Sequence, residues 1–269
     1  MFRATHPEPV LTVTAGIGLL CIGAGRGATT VWAVAAVFTG QLFTGWVNDL
    51  LDVERDRSAA RPDKPLVAGT VSRGEVRVGA AVALAVCVPL SLANGVAAGL
   101  VHLLAVGAAA AYNLRLKATL LSIAPYAIAF GLVPAFVTLG LGPPRLPPWW
   151  ATAAAALLGC GAHFTQVLPD IESDRRLGLR ALPDVVGVRG STVVAVVLIG
   201  AGSALVLTGP ASSPLQRQAQ LVLGALEAAV LAGVVVAGFS HREKLAFRLT
   251  LVAGGLAALA FLVEGRALA

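Results

Sequence analysis

Apolar residues fill the chain in nine runs, over 10–25, 30–50, 76–93, 95–113, 119–140, 149–168, 191–209, 217–239 and 245–263. Each is close to the roughly 20 mainly apolar residues that carry a helix across a bilayer's hydrocarbon. Backbone facing lipid must satisfy its own hydrogen bonds, so runs of this length predict helices. Polar or helix-breaking stretches separate them: Gly25-Arg26-Gly27, Asn94-Gly95, the cluster from Pro143 to Pro148, and the stretch from Pro210 to Pro214. The tight Asn94-Gly95 junction predicts a helical hairpin from the third and fourth runs. The expected fold is all-α, a polytopic membrane protein of about nine transmembrane helices around a central cavity. It forms one domain over residues 1–269 without an extramembrane module. The first run reads as a retained helix, because Glu8 and two prolines make a poor leader and no small-residue cleavage site precedes Arg26.

Composition agrees with a bilayer environment. Only 13% of residues are charged and 57% are hydrophobic, whereas soluble domains carry about 25% charged residues. The net charge of +6 does not point to nucleic acid, since no basic stripe on a soluble module carries it. Cys21, Cys87 and Cys160 lie singly in apolar runs and read as small packing residues without disulfide or metal spacing. Of the 20 basic residues, 16 fall at one set of loop ends and 4 (Arg26, Arg145, Arg217 and Arg266) at the other. The positive-inside rule then places the N-terminus and the loops 53–75, 114–118, 169–190 and 240–244 in the cytoplasm, and the C-terminus outside.

The acidic residues are equally uneven. Asp49, Asp52, Glu54, Asp56 and Asp63 gather at the end of the second run, and Asp170, Glu172, Asp174 and Asp184 at the end of the sixth. If helix continues through them, Asp49, Asp52 and Asp56 share one face, and so do Asp170 and Asp174. Shifting the chain by 118 positions aligns Asp52, Glu54, Asp56, Arg57, Pro65 and Gly69 with Asp170, Glu172, Asp174, Arg175, Pro183 and Gly187. An internal repeat of two pseudo-equivalent halves is expected. Carboxylates so close repel one another unless a cation joins them, and at membrane depth they are expensive enough to imply function. Two matched acidic helix ends predict a two-metal site. Magnesium suits it, because it takes oxygen ligands and shares its shell with water and phosphate; zinc lacks its Cys/His spacing. A diphosphate would complete the coordination, helped by Arg61, Lys64, Lys117, Arg175 and Arg176. No GxxxxGK[ST] loop points to a nucleotide.

These residues resemble the UbiA superfamily of intramembrane prenyltransferases. Asn48-Asp49-x-x-Asp52-x-x-x-Asp56 resembles its first aspartate motif, and Arg61-Pro62-x-Lys64-Pro65-Leu66-x-x-Gly69 the run behind it. Asp170-x-x-x-Asp174-x-x-x-Gly178 resembles the second motif. Tyr112-Asn113-x-x-x-Lys117 is similar to a stretch after the fourth helix, with Asn113 where many members have proline. The resemblance implies two magnesium ions held by Asn48, Asp49, Asp52, Asp56, Asp170 and Asp174. It implies a diphosphate gripped by Arg61, Lys64, Tyr112, Lys117, Arg175 and Arg176, and Asp49, Asp52, Asp56, Asp170 and Asp174 as the catalytic set. It also implies ionisation of an isoprenoid diphosphate and alkylation of an acceptor. Phe43, Trp46, Tyr126, Phe130, Phe136 and Phe164 are candidates to steady the carbocation, and His163 is a candidate cavity base. His102 and Glu227 are left without a role. Acceptor identity, prenyl length, and transfer against self-cyclisation stay open. A secondary transporter would want its charges at the midplane, not at one membrane end.

Overall fold

The computed structural model describes residues 1–58, 61–62, 64–176, 178–209 and 213–264, with the side chains of residues 2 and 3 outside that description. Asp63, Pro210, Arg266 and Ala269 therefore lie outside the described residues. Among these residues the protein is helical throughout, with no strand. The helices are α1 Pro7–Gly23, α2 Thr30–Ser58, α3 Arg73–Leu92, α4 Val96–Leu114, α5 Ala124–Gly131, α6 Val133–Leu139, α7 Trp149–Val167, α8 Ile171–Arg176, α9 Leu182–Leu207, α10 Pro214–Phe239 and α11 Glu243–Glu264.

Each of the nine apolar runs falls on helix, with the fifth divided between α5 and α6. Pro134 has no N–H to give to the preceding turn, and the division lies there. Seven of the helical segments are long and apolar enough to cross a membrane. The expected nine are reduced at two places. At 17 residues α1 is short, and α7 is diluted by tryptophan, glycine, threonine, histidine and glutamine.

Small residues let the helices approach, as packing in lipid requires. A Cβ on Gly161 of α7 would lie 2.9 Å from the Ala195 carbonyl oxygen, and one on Gly202 of α9 would lie 2.9 Å from that of Ala154. The main core joins Ile17, Val37, Phe136, Ala154, Val206 and Phe261, which come from six different helices. Large apolar side chains such as Val78, Val82, Leu100, Leu104, Leu221 and Val236 are exposed on the outside, where acyl chains would cover them.

The two halves repeat in conformation as well as in sequence. Gly69 and Gly187, paired by the 118-position shift, both have positive φ, +70° and +81°, which only glycine adopts without strain. α2 and α7 run toward the same end of the bundle, and α3 and α9 lead away from it. That end gathers both acidic clusters.

Candidate active site

α2 continues as one unbroken helix well past its apolar run, so Asp49, Asp52 and Asp56 do share a face, and all three are buried. The chain then folds back over the helix end. The Arg61 amide donates to the Asp56 carbonyl (3.1 Å) and the Lys64 amide to that of Arg61 (3.2 Å). This turn carries Lys64 Nζ to 2.8 Å from Asp49 Oδ1 and 4.0 Å from Asp56 Oδ2. Lys117, in the turn after α4, ion-pairs with Asp52.

The second cluster is built differently. α7 stops at Val167 and a single turn follows, in which the Asp174 amide donates to the Asp170 carbonyl at 2.8 Å. Asp170 and Asp174 therefore share a face. Two arginines tie the clusters together. Arg55 places Nη1 3.9 Å from Asp52 and Nη2 3.3 Å from Asp174. Arg61 Nη1 lies 2.8 Å from Asp170 and 3.9 Å from Asp56. The two acidic ends are thus a guanidinium's width apart.

Burial pushes the Asp174 carboxyl up to about 6; Arg55 opposes the rise, while Asp170, Asp184 and Asp52 add to it. Asp49 Oδ2 and Asp184 Oδ1 are buried without a hydrogen bond, while Asp174 Oδ1 meets only the Arg55 guanidinium, at 3.3 Å. Such orphaned oxygens are what a hard cation would take up. As placed, no three His, Cys, Asp or Glu side chains among the described residues converge on one point as a closed metal cage would require. Magnesium needs no such cage, since one or two carboxylates with phosphate and water suffice. The donor set fits magnesium, and Asp49, Asp52, Asp170 and Asp174 are the side chains best placed to offer it oxygen.

A family model for the UbiA prenyltransferase family matches residues 10–246. The chain belongs to the UbiA prenyltransferase family. No curated protein matches it. Among solved structures, an apo UbiA homologue from Aeropyrum pernix K1 is 23% identical with a TM-score of 0.71, covering 94% of this chain and 97% of its own. A digeranylgeranylglyceryl phosphate synthase is 18% identical with a TM-score of 0.64, covering 98% and 97%. A UbiA homologue from Archaeoglobus fulgidus, solved with GPP and Mg2+, is 20% identical with a TM-score of 0.61, covering 94% and 98%.

In this UbiA member two residues beside the aspartates were not singled out by sequence. His6, just before α1, sets Nε2 3.1 Å from Asp49 and 3.0 Å from Lys64, and Asn48 Nδ2 lies 3.4 Å from it. Nothing local marks a residue 43 positions from its partner. Arg55 did carry a signal, because the 118-position shift sets Ser173 opposite it. The cross-link sits where the repeat fails.

Other expected site residues are placed apart from the aspartates. Arg176 does not reach them; it is exposed and pairs with Glu172 at 3.5 Å, because α8 turns it outward. Arg175 donates through Nε to the Asp184 carbonyl at 2.5 Å, steadying the loop instead of offering a free cation. Tyr112 meets Tyr126 edge-on at 5.1 Å and His163 at 5.6 Å, below Asp52.

An apolar cavity of about 70 Å³ lies under the aspartates, bounded by Thr44, Gly40, Val106, Phe130, His102 and Phe136 among others. Of the aromatic candidates Phe130 and Phe136 line it. Trp46 does not; its indole donates to the Met1 carbonyl and packs beside Leu50 and Val71 around Val53, Leu66 and Val76. The cavity face of α2 holds positions 37, 40, 41 and 44, and a residue at 46 points the opposite way. Phe43, Tyr126, Phe164 and His163 are not among its walls either. Tyr126 donates to Gln166 Oε1 at 3.0 Å. His163 is fully buried, its Nε2 3.0 Å from Ser122 Oγ and its Nδ1 without a partner. His102 does line the cavity, and Glu227 instead accepts from Ser203 Oγ at 2.6 Å between α9 and α10.

Proposed function

We propose that this integral membrane protein ionises an isoprenoid diphosphate with the help of magnesium and transfers the prenyl group to a small acceptor. The observation that carries the reading is the meeting of Asp49, Asp52 and Asp56 with Asp170 and Asp174 above an apolar cavity, in a chain of this family. The Archaeoglobus fulgidus homologue has been solved with GPP and Mg2+, which supports the same ligand class here.

Magnesium, one or two ions, would neutralise the departing diphosphate and draw the leaving oxygen from carbon. The chain's own residues supply the rest. Lys64, Lys117 and Arg61 now lie on the aspartates. Once those oxygens are engaged elsewhere, the same cations are free to turn onto phosphate oxygens. Phe130, which lines the cavity with Tyr126 stacked on it, offers a π face where a carbocation would form, and the apolar wall keeps water from it.

The test incubates membranes containing the protein with geranyl, farnesyl and geranylgeranyl diphosphates and magnesium, with and without added aromatic, lipid and sugar-phosphate acceptors. Diphosphate release that needs an acceptor supports transfer, and a cyclic hydrocarbon formed without one supports self-cyclisation. No release under either condition sinks the reading. The basic-residue bias, 16 against 4, favours a cytoplasmic site in the cell membrane; a reporter fused after Arg61 that reads external would reverse that orientation.

A further inference from the structure

The segment before α1 is seated in the bundle. It forms a single 3₁₀ turn, Phe2–Thr5, in which Ala4 and Thr5 are buried at 0% and 1% exposure. α2 and α3 are shaped to receive it. A Cβ on Gly45 would lie 2.5 Å from the Thr5 carbonyl oxygen, and one on Gly79 would lie 2.8 Å from the Met1 methyl carbon. The Trp46 indole donates to the Met1 carbonyl at 3.2 Å. This docking delivers His6 to the acidic end of α2 in a left-handed conformation, φ 57° and ψ 71°. Residues with a Cβ rarely adopt it, and the following Pro7 restricts position 6 further. Strain of this kind persists where the surrounding contacts impose it.

Those contacts converge on one atom. His6 Nε2 lies 3.1 Å from Asp49 Oδ1, an acceptor, and 3.0 Å from Lys64 Nζ and 3.4 Å from Asn48 Nδ2, both donors. A ring nitrogen offers either a proton or a lone pair. It serves Asp49 or the two donors, and not both sides at once. Lys64 Nζ bonds Asp49 Oδ1 directly as well, at 2.8 Å. Once that oxygen is given to a metal ion, the ammonium loses it, and Asp56 Oδ2, 4.0 Å away, is beyond hydrogen-bond reach. We propose that His6 is a positioning residue of the active site, whose Nε2 takes over Lys64 when Asp49 turns to metal and holds the ammonium toward the diphosphate. This role rests on the prenyl diphosphate reading above. An ammonium has three N–H donors, so one bond to the imidazole leaves two for phosphate oxygens. A further carboxylate would hold Lys64 but cancel the charge that phosphate needs. An imidazole lone pair holds it without cancelling that charge, and removes beforehand the rotamer freedom a lysine loses on binding.

The experiment reads binding and does not depend on turnover. Affinity of the detergent-solubilised full chain for inorganic diphosphate is measured by calorimetry in the presence of magnesium. The His6 side chain is 42% exposed, so its loss is read at the ligand more than in the fold. His6→Leu is expected to weaken diphosphate binding by roughly tenfold or more. His6→Gln, which puts back an acceptor oxygen, should stay within about threefold of wild type. His6→Gly relieves the left-handed backbone and covers the case in which leucine does not fold; it should weaken binding as His6→Leu does. In a Lys64→Met background, His6→Leu should cost less than about twofold more. A packing residue or a metal ligand would cost as much there as in wild type. Wild-type affinity in a folded His6→Leu or His6→Gly overturns the proposal and leaves the diphosphate reading standing. So does a His6→Gln as weak as His6→Leu, or an equal loss with and without Lys64. If the wild type binds no diphosphate in magnesium, that reading falls and the role of His6 with it.

Discussion

The acidic end of α2 and its counterpart after α7 come from the same repeated pattern, yet they stand in different electrical states. In the first, Asp49, Asp52 and Asp56 ride a continuous helix and each has a lysine or arginine within 4.0 Å. In the second the helix is broken, Asp170 is the more open side chain, and Asp174 is buried with only the borrowed Arg55 beside it. The first cluster is self-neutralised and rigid. The second has less countercharge, and burial, with smaller contributions from Asp170, Asp184 and Asp52, makes the Asp174 carboxyl hold its proton up to about 6. The two halves carry matching carboxylate arms, and Arg55, opposite Ser173 in the repeat, gives the first half the counter-ion of Asp174.

Removing a single arm should do the most damage. Asp52→Ala or Asp170→Ala is expected to lower magnesium-dependent diphosphate release to below about a hundredth of wild type in a protein that still folds, with Asp52→Ala the less stable of the two because it leaves Lys117 and Arg55 without their carboxylate. Wild-type turnover by either purified variant would break the idea that the two arms act as one.

Making the halves more alike sharpens the comparison. Arg55→Ser gives the first half the residue of the second and leaves Asp52 and Asp174 facing each other without the guanidinium. The metal-free protein should lose on the order of 2 kcal/mol of stability, and magnesium should restore most of it. Thermal unfolding with chelator and with magnesium reads this directly; an equal loss in both conditions would make Arg55 a packing residue only.

The smallest effect is one of pH. A carboxyl raised to about 6 is protonated over a range where ordinary carboxylates are charged, and its proton competes with the metal. Magnesium affinity should be flat above about pH 7 and fall as pH drops through 6, by up to about tenfold per unit. For the metal-free fold the sign is opposite. The proton is held more tightly folded than unfolded, so this group's contribution to stability grows as pH falls from about 6 toward 4. Titrating magnesium binding, and thermal unfolding with chelator, against pH in wild type and Asp174→Asn checks both, and identical profiles would remove Asp174 from the site.

Much of this was legible in the sequence, because hydropathy over 20 residues is a strong signal and the aspartate spacing is a chemical one. The helix positions held, and so did the shared faces of Asp49, Asp52 and Asp56. The seventh run was placed at 191–209; α9 has a separate first turn from Leu182 that breaks at Gly187 (φ +81°), and the helix resumes three residues before the run, where Arg189 lowers the local hydropathy. Aromatic type alone said little about the cavity, and Trp46 shows why. Residue identity does not reveal which way a helix face points until one contact has fixed its rotation. His6 was beyond reach for a similar reason, since its role arises only when α1 docks against α2.

The ion pairs of the first cluster have a consequence for the order in which the protein is made. Lys64 lies 15 positions from Asp49, and Arg55 three from Asp52. The counter-ions of the first arm therefore emerge from the ribosome almost together with their carboxylates, and this stretch can settle at the membrane largely neutral. Asp174 has no such local relief, since its cation was synthesised more than a hundred residues earlier. A fragment ending after α4 should accordingly already shield Asp49, while one beginning after α4 should leave Asp174 open to water and to carboxyl-reactive reagents.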